Sequence, residues 1–370
     1  MNKDYSFPVG QDVASKFGCG RFRMEEHLLE HCAEEIVRLG RHPLFVCDDN
    51  SHAIAFDKVA ASLRAASVEP KVLRHHGFCN REDALARAES GALDGIDVVL
   101  GCGGGVILDF SKCLAYLAGT PLVTIPTSSA QCCAYTPIGV CYTREGRYVR
   151  TEHFPREIAL ALLDMAILSR QPPRLLAAGA LDAMAKKIEI AFWRDLPGGA
   201  TGCGAAEGIA ESVSDVIYAD LDAKIDTAIA DLAKGEPTPA LRDVIFNSIV
   251  GAGFVSGIAG GSRQVALAHR FYYGARTLIP ALASRFTHGE VVAVGLIVQH
   301  VYNGSPDEAA ALAARLRGWG LAASMGELGF PCGAEDFESF AAYMLGTKTM
   351  KAAGADAEPR LREALKAIFQ

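Results

Sequence analysis

Over the first 165 residues, short apolar β-rich runs alternate with stretches whose apolar positions recur at helical spacing. Pro43-Leu44-Phe45-Val46-Cys47 predicts a strand, closed by the turn-prone Asp48-Asp49-Asn50-Ser51. A helical pattern follows through Phe56, Val59 and Leu63, then a strand at Lys71-Val72-Leu73 and a helix over 82–90. Ile96-Asp97-Val98-Val99-Leu100 predicts a third strand, 106–118 a helix and Pro121-Leu122-Val123-Thr124-Ile125 a fourth strand. This alternation predicts a parallel sheet covered by helices on both faces. The texture changes near Gln171-Pro172-Pro173, beyond which the chain is rich in Ala and Leu and reads as helices over 175–193, 205–233, 239–255 and 291–301. The expected division is an α/β domain over 1–164 and an all-α domain over 165–370, with the hinge between about 160 and 173.

Composition narrows the class. At 370 residues the chain exceeds one typical core, and 50% hydrophobic with 21% charged residues is ordinary for a globular enzyme. A net charge of -7 argues against a nucleic-acid partner. No apolar run of about 18 residues lacks polar breaks, so no membrane span is expected. The start, Met1-Asn2-Lys3-Asp4-Tyr5, lacks the apolar centre of a signal peptide. Eleven cysteines without a CxxC pair read as buried thiols in a reducing compartment, which points to the cytoplasm.

The candidate chemistry begins at Gly101-Cys102-Gly103-Gly104-Gly105, between a strand and a helix. Glycines there let a phosphate approach the backbone, and the helix start offers N–H groups; a plain tight turn needs fewer of them. Val106 and Ile107 stand where a Walker A loop needs Lys and Ser/Thr. Asp48 is either a ribose acceptor that would disfavour the extra phosphate of NADP, or a solvated turn residue. Asp109 and Lys112 have the spacing of a surface ion pair. Asp182, His269 and His288 are far apart in sequence and by themselves read as a helix-surface acid, a core histidine and a helix-opening histidine.

In order along the chain stand Gly103-Gly104-Gly105-Val106-Ile107-Leu108-Asp109-Phe110-Ser111-Lys112, Ile125-Pro126-Thr127-Ser128-Ser129, Arg174-Leu175-Leu176-Ala177-Ala178-Gly179-Ala180-Leu181-Asp182-Ala183, Ala268-His269 and His288-Gly289-Glu290. Together these strings resemble, essentially from end to end, the glycerol dehydrogenase-like branch of the iron-containing alcohol dehydrogenases. The resemblance implies a Rossmann-like dinucleotide domain followed by a helical domain, an architecture shared with dehydroquinate synthase. It implies Asp182, His269 and His288 as metal ligands at the catalytic centre. It further implies Asp48, Gly103, Gly104, Gly105, Asp109, Thr127, Ser128, Thr136, Ile138 and Tyr142 as cofactor positions, and a homo-oligomer.

The implied chemistry is hydride transfer between NAD (NADP being the alternative) and a small secondary alcohol or its ketone, assisted by a divalent metal. Zinc suits one carboxylate and two imidazoles; iron, manganese and nickel are alternatives. Cys132 stands where glycerol dehydrogenases place a glycerol-gripping aspartate, and Cys132-Cys133-Ala134-Tyr135-Thr136-Pro137 resembles the hydroxycarboxylate dehydrogenase branch. That shifts the expected substrate toward a 2-hydroxy or 2-oxo acid, with Arg270 as a carboxylate partner or a helix-surface arginine, and Cys132 as a pocket or packing residue. Tyr272 falls where the family often has a second histidine. Rival readings are a dehydroquinate synthase-like lyase, for which an extra basic cluster is missing, and a nucleotide-binding protein without turnover.

Overall fold

The computed structural model describes residues 16–196, 204–259 and 263–370, so the Met1–Tyr5 stretch and Cys203 lie outside the described residues. Strands β1 (Phe22–Glu25), β2 (Pro43–Cys47), β3 (Lys71–Arg74), β4 (Val98–Gly103), β5 (Leu122–Pro126) and β8 (Leu160–Asp164) form one parallel sheet in the order β1-β8-β5-β4-β2-β3. Every residue of β2, β4, β5 and β8 is buried, as expected for parallel strands covered on both faces. On one face Leu28, Leu29, Val59 and Leu63 pack against Phe45, Leu100, Val123 and Leu162. Here α1 (Asp57–Ala65) supplies Val59 and Leu63. On the other face α2 (Arg81–Glu89) and α3 (Gly105–Ala118) bring Ala84, Leu108 and Cys113 onto Leu44, Val46, Val99 and Leu163.

All four expected strands form, with β4 starting two residues late and absorbing Gly101–Gly103 as it pairs with β2 and β5. Four strands escape the sequence pattern. β1 is a half-exposed edge strand, and β8, Leu-Ala-Leu-Leu-Asp, is a short apolar run that periodicity cannot separate from helix. β6 (Ile138–Tyr142) and β7 (Tyr148–His153) form an antiparallel hairpin; β6 is a short run broken by Gly139, and β7 is too polar to read as a buried strand. The Asp109–Lys112 pair is not on the surface: both are buried, Lys112 Nζ lies 2.8 Å from Asp109 Oδ1, and the pair ties α3 to the hairpin through Ile138 O and the Val140 N–H. Of the ten described cysteines, all free thiols, eight are buried; Cys132 is half-buried and Cys332 exposed.

From Met165 onward the described chain is helical. The main helices are α4 (Pro173–Asp195), α5 (Ala205–Asp231), α6 (Leu267–Leu278) and α7 (His288–Tyr302). Gly289–Gln299 is buried throughout and almost wholly apolar, which makes α7 the central helix, packed on α4 and α6. The stretch Pro239–Ile258 is long and apolar enough to cross a membrane, but two thirds of it is buried inside the fold, as in a core helix.

Candidate active site

Helix α4 is apolar on almost every side, yet it carries Asp182, Lys186 and Glu189 in its buried portion. Their spacing, i, i+4 and i+7, places all three on one face. A polar stripe on a buried helix must find partners, because an unpaired buried charge is costly. Glu189 finds them at the start of α6. Its Oε1 accepts from Ala266 N at 2.6 Å and His269 N at 3.1 Å, and its Oε2 is bonded to His269 Nδ1. With Nδ1 committed to Glu189, the other ring nitrogen of His269 faces Asp182. Sequence reading did not identify Glu189. Its signal was the polar stripe itself.

His288 opens α7, whose start is secured by Thr287 and Glu290: the Thr287 N–H and hydroxyl both donate to Glu290 Oε2 at 2.7 Å. The three helices meet closely where side chains are smallest. A Cβ on Gly289 would lie 2.1 Å from Ala178 O, and one on Gly179 would lie 1.8 Å from Ser129 O. The first contact seats His288 beside α4; the second presses α4 onto the loop after β5. Gly289→Ala is therefore expected to destabilise the fold by about 1–3 kcal/mol through overpacking and to loosen His288. Thermal unfolding checks this, and an unchanged midpoint would contradict the contact.

Asp182 Oδ1 lies 3.3 Å from His269 Nε2 and 3.1 Å from His288 Nε2. That oxygen is shut off from solvent and makes no well-directed hydrogen bond. Donor atoms of all three residues lie within 4.8 Å of one another. Ligands about 2.0–2.1 Å from a tetrahedral zinc-sized ion stand roughly 3.3 Å apart, so this set fits a divalent cation. As ionisable side chains alone the cluster is strongly coupled. Burial opposes ionisation of Asp182, but His288, His269 and Lys186 hold its carboxyl well below the usual range. Burial likewise opposes a proton on His269, yet Glu189 and Asp182 raise its pKa to about 9.

The cluster opens on a cavity of about 430 Å³. Asp182, Lys186, His269, Arg270 and His288 line its helical side, while Asp109, Gln131, Cys132, Thr136 and Ile138 come from the α/β half. A second group of candidates lies at the carboxyl edge of the sheet. Asp48 follows β2 and Gly103–Gly105 closes β4, and these strands are neighbours from which the chain proceeds in opposite directions, to β3 and to β5. Such a reversal point forms the crevice where open α/β sheets take ligands. Gly103 has φ 153° with Ile107 packed against it, and Gly104 caps α3 with an extended backbone. Thr127 N donates to Gly103 O at 3.2 Å, holding Thr127 and Ser128 beside the glycine turn.

Gln131, not singled out from sequence, joins the two groups: it lines the cavity, and its amide lies so close to Gly105 that any Cβ there would collide with it. Asp48 is held in place by capping, its Oδ1 accepting from Ser51 N and Oγ, both at 2.7 Å. Tyr142 is not on the cavity wall. Its phenol is 2.6 Å from that of Tyr272, and Arg276 stacks on its ring at 4.5 Å. Tyr272 in turn sets its ring edge-on to His288, 4.3 Å between centroids. Arg270 donates from Nε to Thr349 Oγ1 at 2.9 Å, and Cys132 Sγ lies 3.9 Å from Ser256 Oγ.

Residues 19–165 match the family model described as iron-containing alcohol dehydrogenase. The chain is 30% identical over 298 residues to hydroxycarboxylate dehydrogenase A of Escherichia coli (strain K12), covering 78% of this chain and 80% of that protein. It is 27% identical over 280 residues to a glycerol dehydrogenase of Pseudomonas putida, covering 76% and 75%. The fold matches a probable glycerol dehydrogenase from Sinorhizobium meliloti 1021 with a TM-score of 0.82, 21% identity and coverage of 96% and 98% of the two chains. The glycerol dehydrogenase from Schizosaccharomyces pombe gives a TM-score of 0.81 at 21% identity, covering 98% and 92%.

Proposed function

We propose that this chain, which belongs to the glycerol dehydrogenase-like branch of the iron-containing alcohol dehydrogenase family, is a metal-dependent, NAD-linked dehydrogenase of a small 2-hydroxy acid. The observation that carries the reading is one shared cavity, with Asp182, His269 and His288 on its helical side and Asp109, Thr136 and Ile138 on its sheet side. Asp182, His269 and His288 would hold the metal, which would supply Lewis acidity toward the reacting oxygen, while a bound nicotinamide would supply the hydride chemistry. Zinc is the first choice for this ligand set, with iron, manganese and nickel as alternatives.

The chain's own residues do the positioning. Glu189 keeps His269 oriented with Nε2 toward Asp182, and Tyr272 braces the His288 ring from its edge. The glycine turn and the start of α3 offer N–H groups to a pyrophosphate, beside Thr127 and Ser128. The test is a screen of 2-hydroxy and 2-oxo acids, 1,2-diols and glycerol against both nucleotides and several added metals. Tight NADH binding without turnover of any alcohol or ketone would favour the non-catalytic reading instead. NADH that forms and is reconsumed within each turnover would favour the lyase.

Asp48 places a fixed carboxylate beside the reversal crevice, so NAD is expected to be preferred. Asp48→Ala is expected to raise the NADP/NAD ratio of kcat/KM roughly fivefold to tenfold, the worth of about 1 kcal/mol of repulsion near a surface. A wild-type preference for NADP would overturn this assignment. The proposal also includes a cytoplasmic location and a homo-oligomer, the latter resting on the family resemblance and tested by sedimentation.

A further inference from the structure

One cation on the cavity wall has no carboxylate in ion-pair contact among the described residues. Lys186 is only 4% exposed and lies one helical turn beyond Asp182, on the same face of α4. Its Nζ donates to Gln264 Oε1 at 3.0 Å, a neutral amide oxygen that also accepts from Ser256 Oγ at 2.7 Å. The Gln264 amide donates to Ser256 O at 3.3 Å, so the support for the ammonium is itself anchored. Among the described residues no carboxylate forms an ion pair with Lys186. Asp182 directs its Oδ1 to the two imidazoles instead.

The neighbouring cations are engaged. Lys112, equally buried, has Asp109 at 2.8 Å, and Arg150 has Glu152 at 3.1 Å. Arg270, read from sequence as a carboxylate partner or a helix-surface arginine, gives its Nε to Thr349 and lies over the Tyr273 ring at 5.9 Å. Burying an ammonium without a contacting counter-ion costs several kcal/mol, and a ligand carboxylate in direct contact offsets that cost. The ammonium has three N–H groups, of which Gln264 takes one. Cys132, also on the cavity wall, adds no carboxylate beside the ammonium.

We propose that Lys186, braced by Gln264 and Ser256, forms an anion subsite that receives the carboxylate of a 2-oxo or 2-hydroxy acid. This rests on the dehydrogenase reading above and adds to it the residue that selects an acidic substrate over a neutral polyol. One helical turn, about 6 Å along the axis, separates the Asp182 and Lys186 positions. A molecule with its carbonyl and carboxylate on adjacent carbons can contact both ends of that span.

The test compares 2-oxobutanoate with 1-hydroxybutan-2-one, which have the same carbon skeleton but differ in the carboxylate. Metal-loaded wild-type enzyme is expected to favour the acid at least 100-fold in kcat/KM. Lys186→Met is expected to lower that ratio about 100-fold, and Lys186→Arg to restore part of it. Cys132→Asp, which sets a carboxylate in the same pocket, is expected to lower the ratio as well. Metal content and equilibrium binding of oxamate in the presence of NADH are measured on each variant. Lys186→Met should lose oxamate binding while retaining metal. An acid/ketone ratio near one in the wild type, or one unchanged by Lys186→Met, would overturn the subsite and leave the dehydrogenase reading standing. Absence of nucleotide-linked conversion of either compound would instead defeat the underlying reading.

Discussion

His288→Ala is expected to reduce the metal content of purified protein to under about a tenth of wild type and turnover by roughly 1,000-fold, since Lewis-acid assistance is worth several kcal/mol and each 1.36 kcal/mol is tenfold in rate. His288 is the ligand candidate at the more open edge of the cluster, its side chain 15% exposed against 3% for Asp182 and 6% for His269. Removing it leaves the Asp182–His269–Glu189 chain intact. The fold should therefore survive, and circular dichroism together with the thermal midpoint separates loss of metal from loss of structure. Substantial turnover by metal-free variant protein would remove the proposed mechanism.

Glu189→Leu is expected to act on stability and metal affinity together. Three donors lose their acceptor: the Ala266 and His269 N–H groups and His269 Nδ1. Breaking such a buried pair costs about 3–5 kcal/mol, and loss of the group orienting a ligand histidine lowers metal affinity or activity about 10–100-fold. Glu189→Gln retains the shape and one acceptor, so it should restore most of the stability but not the metal affinity. Equal metal affinity in wild type and Glu189→Gln would show that the carboxylate serves packing alone.

A pH dependence follows for protein stripped of metal by a chelator. Glu189 and Asp182 raise the folded-state pKa of His269 to about 9, above the ordinary value of 6.5. The stabilisation is therefore fully present below about pH 6.5 and is lost as pH rises through about 9. Thermal midpoints of metal-free protein should fall across that window, and less so in Glu189→Gln. A flat profile in the wild type would contradict the coupling.

Much of this is legible in the sequence. Strands 43–47 and 121–125 are legible because central parallel strands are buried on both sides and must be continuously apolar. The glycine turn was equally plain, since few other demands put four glycines in five positions between a strand and a helix. Edge strand β1 and the polar strand β7 stay hidden because half-exposed strands carry little hydrophobic signal, and β6 because Gly139 breaks a run of only five residues.

The order of elements, the apolar central helices and the residue types available for metal and nucleotide chemistry are written in the chain itself, because periodicity and composition are local properties. Which of those residues meet was decided in three dimensions. Asp182, His269 and His288 come together because α4, α6 and α7 pack closely at points of small side chains, a contact between segments far apart in sequence. The same packing made Glu189 the partner of His269, buried the Asp109–Lys112 pair, turned Tyr142 toward Tyr272 and left Lys186 facing the cavity. Burial and partnership depend on what lies across the core, so no one-dimensional spacing encodes them.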